Sequence, residues 1–213
     1  MTYSIRDVAN AVAKTTNRED KEGELFNRLK SMAQYRTLKT SKAPGAGKTA
    51  ARRFDREEAC IAALFCILAD YNFDQRAFDS LRHGIQPSAS GNLQGKVDGN
   101  TVTTPYWGDD PYADGATNMP DNHIAMVIPE IERGKGWHLR INLKRDARGD
   151  PLFSGGLYQS DDIPTPEELK ELWGAHDDYQ ENVVVGSLLI NATEILKPVL
   201  ELLGPGQSTK GKQ

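Results

Sequence analysis

Through the first eighty residues the apolar positions recur mainly at helical spacing. In SIRDVANAVA (4–13), Ile5, Val8, Ala9 and Val12 share one face, and Ser4 is placed to cap the helix start. The polar KTTNREDKEG (14–23) reads as a turn. ELFNRLKSMAQY (24–35) sets Leu25, Leu29 and Met32 on one face, with Phe26 and Ala33 beside it. Asn27, Arg28, Lys30, Ser31 and Gln34 fall on the other faces. YRTLKT (35–40) and TAARRF (49–54) are short strand candidates on either side of a Gly-rich stretch. DREEACIAALFCILADYNF (55–73) is the strongest helix. Asp55 caps it, Glu57 and Glu58 suit its first turn, and Ile61, Leu64, Phe65 and Leu68 recur at i, i+3, i+4 and i+7. A shorter helix is expected over 74–82.

The pattern changes after residue 84. Gly, Pro, Asn, Asp and Ser dominate 84–122, which reads as linker and long loops. HIAMVIPEI (123–131) and GWHLRINLKRD (136–146) read as strands that pair as a hairpin across ERGKG. In the second, Trp137, Leu139, Ile141 and Leu143 alternate with His138, Arg140, Asn142 and Lys144. TPEELKELWGA (165–175) reads as a helix, with Thr165 and Glu168 as a capping box. The run 179–203 reads as a long apolar helix kinked at Pro198, and 204–213 as a disordered tail.

Composition places the chain among ordinary, rather polar soluble proteins, at 38% hydrophobic and 26% charged over 213 residues. No apolar run approaches the roughly 20 residues that span a bilayer, and the N-terminus lacks an apolar signal segment. Cys60 and Cys66 share one apolar run and read as reduced core residues. These features favour the cytosol.

The net charge of −4 hides an asymmetry. Residues 1–56 hold 13 Lys/Arg against 6 Asp/Glu, and the remainder 13 against 24. The bias is sharpest over 28–56, where nine basic residues face one acid, Asp55. A basic end on an acidic protein implies a polyanionic partner.

Within that basic end lies SKAPGAGKTAARRFDREEA (41–59). Gly47-Lys48-Thr49 matches the end of a phosphate-binding loop, G-x-x-x-x-G-K-[ST], but Lys42 stands where its first glycine belongs. Such a loop also follows a buried apolar strand, and QYRTLKTSK is polar and basic. The order helix, turn, helix, basic hairpin, helix is instead that of a winged helix-turn-helix.

The same residues resemble the MerR family of DNA-binding domains over about residues 3–80. Tyr3-Ser4-Ile5 with Val8-Ala9 matches the family's opening. Leu29 and Leu38 stand at its apolar positions. Arg52-Arg53-Phe54-Asp55-Arg56-Glu57-Glu58 matches the end of its wing and the acid-rich start of its third helix. LADYNFDQRAF (68–78) is similar to its ending, with Asn72 where glycine is usual. The chain departs from the family in a longer, acidic first turn, in Ser31 and Met32 at its aromatic pair, and in a longer wing.

The resemblance over the N-terminal part and the pattern of the remainder together imply an α+β protein. A winged helix-turn-helix would occupy 1–83, a linker 84–122, an α+β dimerisation or effector domain 123–203, and a tail 204–213. The resemblance also implies duplex DNA as partner. Asn27, Arg28, Lys30, Ser31 and Gln34 are residue types that read base edges and phosphates, while Lys39, Lys42, Lys48, Arg52 and Arg53 would neutralise backbone phosphates. The expected function is a sequence-specific transcriptional regulator of bacterial or phage type, or a recombination or excision accessory protein, without cofactor or metal. A homodimer is expected, with 183–203 as its seam and Leu189 within it. A protein partner or small ligand is expected at the C-terminal region.

Three further classes stay open: an enzyme with its site in 85–180, an interaction protein whose winged helix binds protein rather than DNA, and a nucleotide binder using Lys48. Asp109, Asp110, Asp114, Asp121 and His123 gather around Trp107 in sequence, but in no metal-ligand spacing, and an acidic solvated loop is the plainer reading. His83, His138 and His176 stand alone in the sequence.

Overall fold

The computed structural model describes residues 2–42, 52–97, 100–107, 119–163, 165, 168 and 183–204, and among them helix and strand are mixed. The helical elements are α1 (Ile5–Thr15), α2 (Glu22–Gln34), α3 (Arg56–Asp70), α4 (Gln75–Ile85), α5 (Ile124–Glu132) and α6 (Ala192–Leu203), with a 3₁₀ turn at Glu19–Lys21. The strands are β1 (Tyr3–Ser4), β2 (Ser41–Lys42), β3 (Arg52–Phe54), β4 (Gly91–Val97), β5 (Asn100–Tyr106), β6 (Trp137–Arg145), β7 (Pro151–Gln159) and β8 (Val183–Asn191). None of these helices is long and apolar enough to cross a membrane.

Side chains set the helix starts. Ser4 and Asp7 form a reciprocal capping box on α1. The carboxylates of Asp55 and Asp74 accept the N–H groups of Glu58 and Ala77 at the starts of α3 and α4. The first three helices each run into a left-handed residue, Asn17 (φ 52°), Arg36 (φ 64°) and Asn72 (φ 61°). Asparagine visits that region readily, so Asn72 does the work of the expected glycine.

Three antiparallel sheets result, with orders β1-β3-β2, β4-β5 and β7-β6-β8. In the first, β3 lies between Tyr3–Ser4 and Ser41–Lys42, so the chain ends flanking 43–51 are held together as hairpin stems. That stretch lies outside the described residues, and with it the expected Gly-rich tip. In the third sheet, Trp137, Leu139 and Ile141 of β6 are buried on one face. Helix α6 packs on α1, α3 and α5, and α4 lies on β7. The buried apolar side chains of both halves, from Val8 and Phe65 to Leu139 and Leu196, form one continuous cluster.

Behind the first sheet sits a buried ionic network. Glu58 pairs with Arg82 at 2.5 Å and also accepts the backbone N–H of Lys39 at 2.6 Å. Arg82 donates in turn to the Thr37 carbonyl at 2.7 Å. The 35–40 segment is therefore turn and loop rather than the expected strand. Its backbone groups are met by side chains of α3 and α4, and pairing begins only at Ser41.

Other segments also differ from the sequence reading. The region 84–122 is not all loop, since it carries the β4–β5 hairpin, paired from Gly91–Tyr106 to Val97–Asn100. The expected strand 123–131 is helix α5. Its buried Ile124, Val127, Ile128 and Ile131 follow helical spacing, and the His123 ring caps it by accepting the Ala125 N–H. The hairpin partner of β6 is thus β7, which the sequence reading left unassigned.

The long apolar helix expected over 179–203 is absent among the described residues, which form strand β8 followed by α6. Asn191 divides the run by accepting the Glu194 N–H as a helix cap. Of the helix expected at 165–175, only Thr165 and Glu168 are described, and they make the reciprocal bonds of a capping box. Pro198 lies inside α6. Of the expected tail only Gly204 is described.

Candidate nucleic-acid interface

Helix α2 turns Leu25, Leu29, Met32 and Ala33 into the core. The opposite side carries Asn27, Lys30, Ser31 and Gln34 at i, i+3, i+4 and i+7, and all four are exposed. They form one polar row along the helix. The start of the helix is acidic, with Glu19, Asp20, Glu22 and Glu24 close together in the chain. Those charges repel a polyanion, so the usable part of the row is its C-terminal half.

Arg28 lies off this row. Its guanidinium pairs with Asp70 at 2.6 Å and donates to the Cys66 carbonyl at 3.0 Å, both on α3, and reaches Glu24 at 3.3 Å. Arg18 holds the same Asp70 at 2.6 Å. Burial pushes the Asp70 carboxyl upward. The hydrogen bond from Arg28 and the charges of Arg18 and Arg28 outweigh that and hold it below its ordinary 3.8. Arg28 thus clamps α2 to α3, a role that the expectation of a base-reading side chain did not include.

The hairpin meets the row at its C-terminal end. Arg52 on β3 donates to the Ala33 carbonyl in the last turn of α2 at 2.6 Å, which fixes the strand against the helix. Arg52, Lys30, Gln34, Phe26, Arg6 and the Ser4–Ile5 corner line a groove of about 590 Å³. Arg6 stacks its guanidinium over the Phe26 ring at 5.1 Å, a cation–π contact that gives the groove an apolar floor and a cationic rim. Sequence reasoning passed over Arg6 and Phe26. The available signal was Arg6 on the exposed side of α1 and Phe26 at the edge of the apolar stripe of α2.

The remaining candidates separate. Arg53 is half-buried in the middle strand. Lys39 is exposed but binds Gln86 at 3.1 Å through Nζ, behind the hairpin. The side chain of Lys42 and all of Lys48 lie outside the described residues. The chain passes from β2 to β3 across 43–51, and a strand follows Lys48 where a phosphate-binding loop opens a helix.

Elsewhere, Trp107 donates to the Pro87 carbonyl at 3.2 Å and meets His123 edge-on at 6.4 Å. Both side chains thus serve packing, and Asp109, Asp110, Asp114 and His176 lie outside the described residues. Among the described residues no group of three or more His, Cys, Asp or Glu is placed to hold a metal. Ser160 Oγ lies 3.1 Å from His138 Nδ1 on the exposed end of the β6–β7 hairpin, a pairing set by strand register that the linear spacing did not reveal. His83 is exposed. Cys60 and Cys66 are free and buried, and burial pushes both thiols up to about 12, which keeps them protonated and inert.

No family model, curated protein or solved structure matches the chain.

Proposed function

We propose that the protein binds duplex DNA through the C-terminal half of α2 and the β2–β3 hairpin, and acts as a sequence-specific transcriptional regulator. The observation that carries this reading is the groove that joins Lys30 and Gln34 of α2 to Arg52 of β3 and Arg6 of α1. A helix row of Asn, Lys, Ser and Gln suits base edges, and arginines beside it suit phosphates. The order α1, turn, α2, hairpin, α3 accords with a winged helix-turn-helix, with the hairpin as its wing. The basic bias of residues 28–56 supplies the long-range attraction.

The test is selection of DNA fragments by the full chain at physiological salt, followed by anisotropy titrations of the enriched duplex over a range of salt concentrations. Binding should weaken with a log–log slope of about −0.9 for each phosphate neutralised. Lys30→Ala with Gln34→Ala should reduce both affinity and the enrichment of particular sequences. Failure to retain any duplex in a salt-dependent way would remove this reading.

A further inference from the structure

We propose that the groove between α1, α2 and β3 is a binding site for a small amphiphilic carboxylate. Its anion would lie at Lys30 and Arg52, and its apolar body on Phe26 and Ile5. The sequence reading expected a ligand at the C-terminal region, whereas this site lies in the N-terminal half. The groove holds about 590 Å³, the size of a pocket that encloses a small molecule. Contact with a DNA backbone accounts for the cations on its rim but does not call for an apolar floor.

The rim carries positive charge that no carboxylate answers. Arg6, Lys30 and Arg52 take part in none of the ion pairs among the described residues. Arg52 uses one amino group on the Ala33 carbonyl. Its Nε and its other amino group have no partner among the described residues, and that pair of donors matches the two oxygens of a carboxylate. Lys30, exposed on the row of α2, adds a second charge beside it. Two acids come near in the chain, and neither lines the groove. Asp7 is turned back onto the Ser4 N–H in the α1 capping box, and Glu22 stands one turn before Phe26. Glu22 repels an anion at that end and so sets the orientation, with the carboxylate towards Lys30 and the apolar body towards Phe26. The segment APGAGKTAA (43–51), which leads into β3, contains no acid and no large apolar side chain, so it supplies neither half of this occupant.

The floor selects the rest of the ligand. Phe26 is half-buried at the edge of the core, with the Arg6 guanidinium over its ring, and Ile5 lies beside it at the start of α1. A bare inorganic anion leaves this apolar surface wet, and an uncharged apolar molecule leaves the cations unpaired. A carboxylate that carries an apolar body meets both demands. Lys30 and Arg52 also belong to the surface proposed for DNA, so an occupied groove competes with a duplex. That consequence rests on the DNA-binding reading, whereas the binding of the carboxylate does not.

The probe is 1-naphthoate, with 1-naphthalenemethanol as its uncharged counterpart. Calorimetric titration of the full chain without nucleic acid should show saturable binding of naphthoate, with a Kd of about 1 mM or tighter. The alcohol should bind at least about fivefold more weakly. Lys30→Glu should weaken naphthoate at least about fivefold. Lys197→Glu, the same change of charge on α6 and outside the groove, should leave it unchanged. Phe26→Ala should weaken both probes, and circular dichroism checks that the variants fold. Absence of saturable naphthoate binding overturns the proposal, as does equal binding of the alcohol or a Lys30→Glu chain that binds naphthoate like wild type. Lys30 is exposed, so its variant decides the matter if Phe26→Ala fails to fold. Where a duplex is retained, saturating naphthoate should raise its apparent Kd, and a duplex indifferent to it would place the ligand elsewhere and overturn the site. Retention of no duplex removes the DNA-binding reading alone, and the direct titrations still decide this one.

Discussion

Gly84 of α4 approaches Gly155 of β7 so closely that a Cβ built on Gly84 would lie 1.5 Å from the Gly155 carbonyl oxygen. Helix and strand meet backbone to backbone. Ser80 donates its hydroxyl to the Phe153 carbonyl on the same strand, and the rings of Phe73 and Phe153 meet beside it in a tilted contact at 5.4 Å. This contact seats the C-terminal sheet on the helical half, so Gly84→Ala must push α4 off β7. The expected cost is about 2–3 kcal/mol, as for overpacking of a tight core. In thermal unfolding that is a fall of about 5–10 °C for a chain of this size. Gly23→Ala is the control. Nothing lies within 4 Å of the added carbon in α2, so stability should hold or rise by about 0.5 kcal/mol. Equal melting temperatures for Gly84→Ala and wild type would rule out the close approach.

His123 makes stability depend on pH. Its ring is buried, and its Nδ1 accepts the Ala125 N–H to cap α5 at 3.1 Å. Burial, with a smaller push from Lys39, lowers its pKa below the ordinary 6.5, against the attraction of Glu57. The unfolded chain therefore takes up the proton more readily than the folded one. The contribution is fully present above 6.5 and is lost as pH falls below that value towards the folded pKa. His123→Asn keeps a capping acceptor and removes the titration. Urea unfolding on either side of pH 6.5 should show a decline in wild type that is smaller in His123→Asn. An unchanged decline in the variant would assign it to other groups.

The buried pair of Glu58 and Arg82 should dominate polar contributions to folding. Glu58→Ala leaves Arg82 buried at 12% side-chain exposure without its carboxylate, and strips the acceptor from the Lys39 N–H. Breaking a buried pair on one side costs about 3–5 kcal/mol. The double variant Glu58→Leu with Arg82→Met should recover part of this, because both charges then leave the core together. Chemical denaturation of the single and double variants provides the comparison. A double variant less stable than Glu58→Ala would show that the loop carbonyl of Thr37, rather than the charge, sets the cost.

Helix starts and the N-terminal core were legible because capping side chains and apolar spacing act locally. Ser4, Asp55, Ile61 and Leu64 sit where the sequence placed them. Misreadings fall where tertiary contacts decide. The run 123–131 is apolar enough for a strand, and its helix depends on the unusual His123 cap and on burial against α6 and α3. The pair Gly155-Gly156 weakens β7 as a sequence signal, yet α4 can dock there only because side chains are missing. The β4–β5 hairpin was marked by Asp98-Gly99, a strong turn dipeptide, but was masked by its polar surroundings. Of the expected DNA contacts, the row on α2 followed from spacing alone. The clamp role of Arg28 did not, because Asp70 is 42 residues away in the chain.

Arg28 and Lys30 stand two residues apart on α2 and should fail in opposite ways. Arg28 joins α2 to α3 through Asp70 and the Cys66 carbonyl, with its side chain 24% exposed. Arg28→Ala should therefore lower the melting temperature, and DNA affinity should fall only as far as the fold loosens. Asp70→Asn should lower stability in the same sense. Because Asp70 titrates below its ordinary value, the ion-pair contribution persists at neutral pH and is lost only as pH falls below 3.8 towards the folded pKa. Lys30 is exposed and lines the groove, so Lys30→Ala should leave melting nearly unchanged. If Lys30 meets a phosphate, its loss should weaken all duplexes and reduce the magnitude of the salt slope by about one. Gln34→Ala should instead change which sequences are preferred, since base edges carry specificity. Melting curves and salt-dependent anisotropy on these variants separate these effects. A stable Arg28→Ala protein with altered sequence preference would return Arg28 to the recognition surface and displace the clamp assigned to it.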